Sequence, residues 1–126
     1  MATYPLTAIR TLALEVQGLT TRLGGEQAPT PDAIYDVVDR LGCVQIDTLQ
    51  MVHRSHYLAL WSRLGRYDIT DLDRLIYGDE RRLFEYWQHA ASILPLSEYR
   101  YRLPLMRRHG EGNPHCRVRV RWAATG

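Results

Sequence analysis

Lysine is missing from this chain; all sixteen of its basic residues are arginine. Arginine contacts phosphate in bidentate fashion, so this usage suits nucleic-acid binding. Codon bias in a GC-rich genome produces the same composition. Long apolar runs are also missing. None approaches the ~18 residues needed to span a bilayer, so no membrane segment is expected. Met1 to Arg10 has no apolar stretch behind a basic start, so no secretory signal is expected and the cytoplasm is the expected location. Cysteine is scarce: Cys43 and Cys116 lie far apart in unlike contexts. No disulfide is expected in a cytoplasmic chain, and Cys43 reads as a small buried apolar residue. Internal repeats and low-complexity blocks are absent.

What is present fits one domain at most. A chain of 126 residues, 45% hydrophobic and 24% charged, can bury a real core. Its net charge of +2 is unevenly spread. Residues 1–96 hold nine Arg against twelve Asp and Glu, a net −3, whereas residues 97–126 hold seven Arg against two Glu, a net +5.

The pattern predicts a first helix from about Leu6 to Gly18, capped by Thr7, with Ile9, Leu12, Ala13 and Val16 on one face at helical spacing. Leu19 to Pro29 reads as a loop. A second helix starts at Thr30-Pro31-Asp32, buries Ile34, Val37, Val38 and Leu41, and stops at Gly42. Val44–Asp47 reads as a strand. A third helix is expected over Leu49–Leu64 and a fourth over Asp68–Ile76, with Thr70 and Asp73 at capping-box spacing. Arg82–Trp87 reads as a second strand, with Phe84 and Tyr86 on one face and Leu83, Glu85 and Trp87 on the other. Gln88 to Pro95 shows no clean period. Tyr99–His109 is expected to be helical in part, interrupted or started at Pro104. The fold class is therefore mainly α with short β-strands, a winged helix-turn-helix. The first winged-helix unit is assigned to residues 5–95, and residues 96–126 to a basic connector or the start of a second unit. In the tail from Gly110, Arg117-Val118-Arg119-Val120-Arg121-Trp122 alternates strictly. It reads as an amphipathic strand, a basic DNA-contacting arm, or the end of a truncated or frame-shifted reading frame.

Three groups of residues carry chemistry. A strand over Val44–Asp47 puts Gln45 and Asp47 on one face, roughly 6–7 Å apart, where an amide and a carboxylate can orient and activate water. The competing reading makes Asp47-Thr48-Leu49-Gln50 a capping box for the third helix. His53 and His56 flank Arg54; no third residue stands at metal-ligand spacing, so no metal site is expected. Arg54, Ser55 and His56 can all donate to phosphate oxygens. Glu85-Tyr86-Trp87-Gln88-His89 packs a carboxylate, an amide, an imidazole and two aromatics into five residues, with His89 able to carry a proton near neutral pH. For either histidine of the first group, a satisfied structural role is the alternative.

Val44-Gln45-Ile46-Asp47, Val52-His53-Arg54-Ser55-His56, Trp61-Ser62-Arg63-Leu64-Gly65 and Phe84-Glu85-Tyr86-Trp87-Gln88-His89-Ala90-Ala91-Ser92 resemble, in this order, the AlkZ/YcaQ-type bacterial DNA glycosylases. The resemblance covers roughly Leu6 to His109. It implies tandem winged helices and hydrolysis of the N-glycosidic bond of alkylated purines and interstrand crosslinks in double-stranded DNA, without metal or cofactor. It makes Gln45 and Asp47 the catalytic pair, in the Gln-x-Asp form of the YcaQ branch. His53, Arg54, Ser55, His56, Arg63, Tyr86 and His89 become DNA contacts or supports of the pair. Family members are several times longer, so the chain is expected to be an N-terminal fragment, monomeric, with poor DNA binding and weak or no activity. The alternative is a non-enzymatic winged-helix DNA-binding module such as a transcriptional regulator. There the third helix should present exposed polar residues to a major groove.

Overall fold

The computed structural model of the protein describes residues 3–20, 28–47 and 53–112. The chain divides at Leu96 and Ser97 into two compact units.

The first unit runs α1 (Leu6–Val16), α2 (Pro31–Leu41), β1 (Val44–Gln45), α3 (Ser55–Leu64), α4 (Ile69–Tyr77), β2 (Leu83–Trp87) and β3 (Ala91–Pro95). The start of α2 is as the sequence predicts: the Thr30 hydroxyl accepts from the Ala33 N–H at 3.3 Å, and Pro31, which has no N–H to satisfy, opens the helix. At its end Gly42 takes φ +74°, a left-handed conformation that favours glycine, and turns the chain directly into β1.

The three strands form one antiparallel sheet in the order β1-β3-β2. Val44 pairs with Ile93 and Ile93 with Glu85; Gln45 pairs with Ser92 and Ser92 with Tyr86. Directly paired residues share a face. One face therefore carries Val44, Ile93 and Leu83, which pack with Ile34, Val38, Leu60, Leu64, Leu72 and Leu75 from α2, α3 and α4 into the core. The other carries Gln45, Ser92, Tyr86, Phe84 and Leu94. Helix, strand, two helices and a hairpin, closed by a three-stranded sheet, make a mainly α fold compatible with a winged helix.

Several expectations change. Strand β1 ends at Gln45, although the Ile46 N–H still donates to the Ala91 carbonyl at 2.7 Å. Helix α3 begins at Ser55 with Arg54 as its N-cap residue, so Asp47 does not cap it. The cap of α4 is Asp68, whose carboxylate accepts from the Thr70 N–H at 2.9 Å, in place of a Thr70–Asp73 box. Ala91–Pro95, without a period in the sequence, is a strand. Cys43 is exposed rather than buried: Val44 takes the helix side of the sheet, and the period of two turns Cys43 away from it. Helix α1 has Pro5 at its N-cap instead of Thr7, and buries no residue; Leu6, Ile9, Leu12 and Val16 are each more than half exposed. Residues 21–27, 48–52 and 113–126, with them part of the expected loop, the start of the expected third helix, Cys116 and the alternating tail, lie outside the described residues.

In the second unit, α5 (Tyr99–Gly112) follows a turn of 3-10 helix and keeps Pro104 within it. No helix among the described residues is long and apolar enough to cross a membrane.

The contrast between α1 and α3 is testable by urea unfolding. Leu60→Ala, in a site with no solvent exposure, should cost about 2–5 kcal/mol. Leu12→Ser should stay within about 0.5 kcal/mol of the parent, because its side chain leaves water only in part.

Candidate active site at the end of the sheet

The Gln-x-Asp segment leaves the sheet where the β2–β3 hairpin turns. Register puts Gln45 beside Ser92, with Tyr86 on the far side of Ser92, and the Ile46–Ala91 hydrogen bond carries the pairing one residue further, toward the hairpin turn that holds Gln88, His89 and Ala90. Gln45 is exposed and Asp47 half-buried. Strand β1 ends at Gln45, so the face that a longer strand would give to both side chains does not extend to Asp47. An exposed amide and a half-buried carboxylate two residues apart are compatible with work on a bound water.

What holds this segment is Ser55, the first residue of α3. Its hydroxyl accepts from the Asp47 N–H at 3.0 Å and donates to the Gln45 carbonyl at 3.3 Å. One hydroxyl thus bridges the backbone on both sides of Ile46 and fastens it to the start of a helix. A serine can do this because it donates and accepts at the same atom.

Next along α3, His56 is buried, and its Nδ1 makes no hydrogen bond among the described residues. The imidazole lies against the Tyr57 ring, with centroids 4.0 Å apart, and Tyr57 meets His53 edge-on at 4.8 Å. Burial holds the pKa of His56 below its ordinary 6.5; the Arg54 cation adds to this, while the Glu85 and Asp73 carboxylates oppose it. Burial likewise raises the Tyr67 phenol, whose hydroxyl donates to the Tyr57 carbonyl at 3.4 Å. Tyr77 donates to Glu85, and burial followed by that contact raises its pKa.

The remaining residues fall in different places. Arg54 and His53 are exposed, and the His53 Nδ1 accepts from the Arg54 N–H at 3.1 Å. His89 is exposed on the hairpin turn, and Trp87 beside it is 70% exposed. Arg63 lies in the last turn of α3, eight residues and so about 12 Å along the helix from Ser55. Its guanidinium is engaged by the protein: Nε donates to the Gln17 carbonyl at 2.8 Å and Nη1 to the Ala59 carbonyl at 2.7 Å. Sequence reasoning missed Ser92, the buried partner of Gln45, whose hydroxyl donates to the Ala90 carbonyl at 3.1 Å. The available signal was one hydroxyl in the apolar run Ala91-Ser92-Ile93-Leu94. No group of three His, Cys, Asp or Glu residues able to hold a metal occurs among the described residues.

Two measurements probe this arrangement. Ser55→Ala should speed hydrogen exchange at the Asp47 amide while the amides of α2 keep their protection, since only the bridge is lost. Stability should also fall with pH. As pH drops below about 6.5 the unfolded chain takes up a proton at His56 before the folded chain does, so the stability carried by neutral His56 is whole above 6.5 and is lost down to its lower folded value. His56→Gln should flatten that part of the urea-midpoint profile.

Comparison with known proteins agrees with the blocks that carry the resemblance. No solved structure matches the chain. A family model described as DNA glycosylase AlkZ-like matches residues 38–125, a span that takes in β1, the Ser55 bridge and the whole hairpin. With more than half of its length matched, the chain belongs to the AlkZ-like DNA glycosylase family.

Proposed function

We propose that this chain serves DNA repair by hydrolysing the N-glycosidic bond of alkylated purines, interstrand crosslinks included, with Gln45 and Asp47 handling the attacking water. Family membership supports the glycosylase role in general. The observation that carries the assignment to these residues is the Ser55 bridge, which fixes the backbone between them while leaving Gln45 open to solvent.

The chemistry asks little of the protein at the leaving group. An N7-alkylated purine is already cationic and departs without an acid, so the reading needs neither metal nor cofactor. The demand is at the sugar, which gains oxocarbenium character as the bond breaks. The Asp47 carboxylate supplies negative charge to that centre and takes the proton of the incoming water, as carboxylates do in glycoside hydrolysis. The Gln45 amide hydrogen-bonds the same water and sets its line of attack. Double-stranded DNA is the partner, met by a monomer.

The regulator reading has less support. In a helix-turn-helix the second helix enters the major groove. Counted from α2, the helix before β1, the two helices of the helix-turn-helix are α3 and α4. The groove-facing helix is therefore α4 and not, as expected from the sequence, the third helix of the chain. There Asp68, Asp71 and Asp73 stand against the single cation Arg74. Arg74 is itself paired with Asp71 at 3.2 Å. Such a helix repels phosphate. The exposed side of α3 does not replace it, since it carries Leu58 and Trp61.

With residues 1–96 at net −3, grip on DNA is expected to be poor and excision slow. Single-turnover release of 7-methylguanine, with protein in excess over a damaged duplex, reads the chemistry despite weak binding. Asp47→Asn should lower the rate about 10²-fold or more, as expected for loss of a general base. Excision that survives this substitution would remove Asp47 from the reaction.

A further inference from the structure

We infer that the exposed face of α5 is a contact surface for the phosphate backbone of duplex DNA, built from Arg100, Arg107 and Arg108. The inference rests on the DNA-repair reading above and adds to it a surface on the second unit.

Exposure along α5 follows helical geometry. Arg100, Tyr101, Pro104, Leu105, Arg107, Arg108 and His109 are exposed, whereas Tyr99, Arg102, Leu103 and Met106 are half-buried. At 3.6 residues per turn, Arg107 and Arg108 return to the side of Arg100 after two turns. The three guanidinium groups thus share the solvent side over about 12 Å of axis, which matches roughly three base-pair rises of 3.4 Å.

The four arginines of the helix are not equivalent. Arg102 is paired with Glu98 at 3.6 Å and is partly withdrawn from solvent. Arg100, Arg107 and Arg108 form no ion pair among the described residues. Arg100 is held in place by its neighbour: its carbon Cζ lies 4.6 Å from the centre of the Tyr101 ring, and Nη2 donates to the Tyr101 hydroxyl at 2.7 Å. A guanidinium stacked in this way keeps donors for a phosphate and loses less side-chain freedom on meeting one. Charge complementarity selects the occupant. Along α5 itself four Arg stand against Glu111 alone, whereas residues 1–96 carry net −3, and the acidic α4 offers no alternative surface to a polyanion.

The test is the salt dependence of binding by the full chain to an undamaged duplex, followed by fluorescence anisotropy from low salt upward. Each phosphate neutralised contributes about 0.9 to the slope of log K against log salt, so Arg100→Gln, Arg107→Gln and Arg108→Gln together should flatten it by about 2.7. Between about 50 and 200 mM salt the parent should lose roughly 40-fold more affinity than this triple variant. Arg102→Gln should leave the slope as it is. Each single variant should flatten it by about 0.9, and these decide the matter if circular dichroism shows the triple variant unfolded. A parent slope retained by the variants, with binding intact, overturns the α5 surface and leaves the glycosylase reading standing. Failure of the parent to bind duplex at low salt overturns the DNA-binding reading along with it. Vesicles of phosphatidylserine provide the remaining arm: if the substitutions weaken vesicle binding and leave the duplex slope alone, the surface meets lipid and the inference falls.

Discussion

Two residue pairs of ladder, Val44 with Ile93 and Gln45 with Ser92, tie the middle of the chain to its hairpin. Much follows from them. Val44 joins a core made by α2, α3 and α4, and in doing so sets which way Gln45 faces. Gly42 delivers the chain to this position straight from α2, and Ser55 receives it eight residues after Asp47 by bonding to its N–H. Without the pairing, the amide and carboxylate would sit on an unanchored connection between two helices. With it, their backbone is held from the strand side and from the helix side.

Electrostatics divides the labour differently from the usual helix-turn-helix. The helix that a winged-helix regulator would place against bases is acidic here, whereas α5 carries three exposed arginines, Arg100, Arg107 and Arg108. His56 is buried, and burial, with the Arg54 cation, favours its neutral form against the pull of the Glu85 and Asp73 carboxylates. Its neighbour Ser55 belongs to the backbone bridge. Adjacent residues of one short motif thus do unlike jobs, one through packing and one through hydrogen bonds.

How much of this was legible in the sequence depends on which side chains meet water. Helix α2 was readable from Thr30 to Gly42 because its caps are local and its stripe is buried on one side only. Strand β2 was readable because Glu85 and Trp87 are exposed between less exposed neighbours. Strand β3 was not, since Ser92, Ile93, Leu94 and Pro95 are all buried, and a strand covered on both faces loses its alternation. The apolar stripe of α1 was read correctly as a stripe, but periodicity identifies residues that share a face without saying what covers it. The motif pair at Gln45 and Asp47 was visible. The competing cap was equally visible; α3 starts at Ser55 with Arg54 as its N-cap residue, and Thr48, Leu49 and Gln50 of the expected box lie outside the described residues. The Ser55 bridge joins residues eight and ten apart, a distance at which spacing carries no rule.

The shortness of β1 also bears on how the molecule behaves among its own copies. A sheet edge with a long row of unpaired backbone groups is a template on which a second chain can add a strand. Here one edge is a strand of two residues, too brief to seed such growth, and the other edge carries the charge of Glu85 in the middle of β2. The strand that orients Gln45 is therefore also a poor seed for edge-to-edge aggregation.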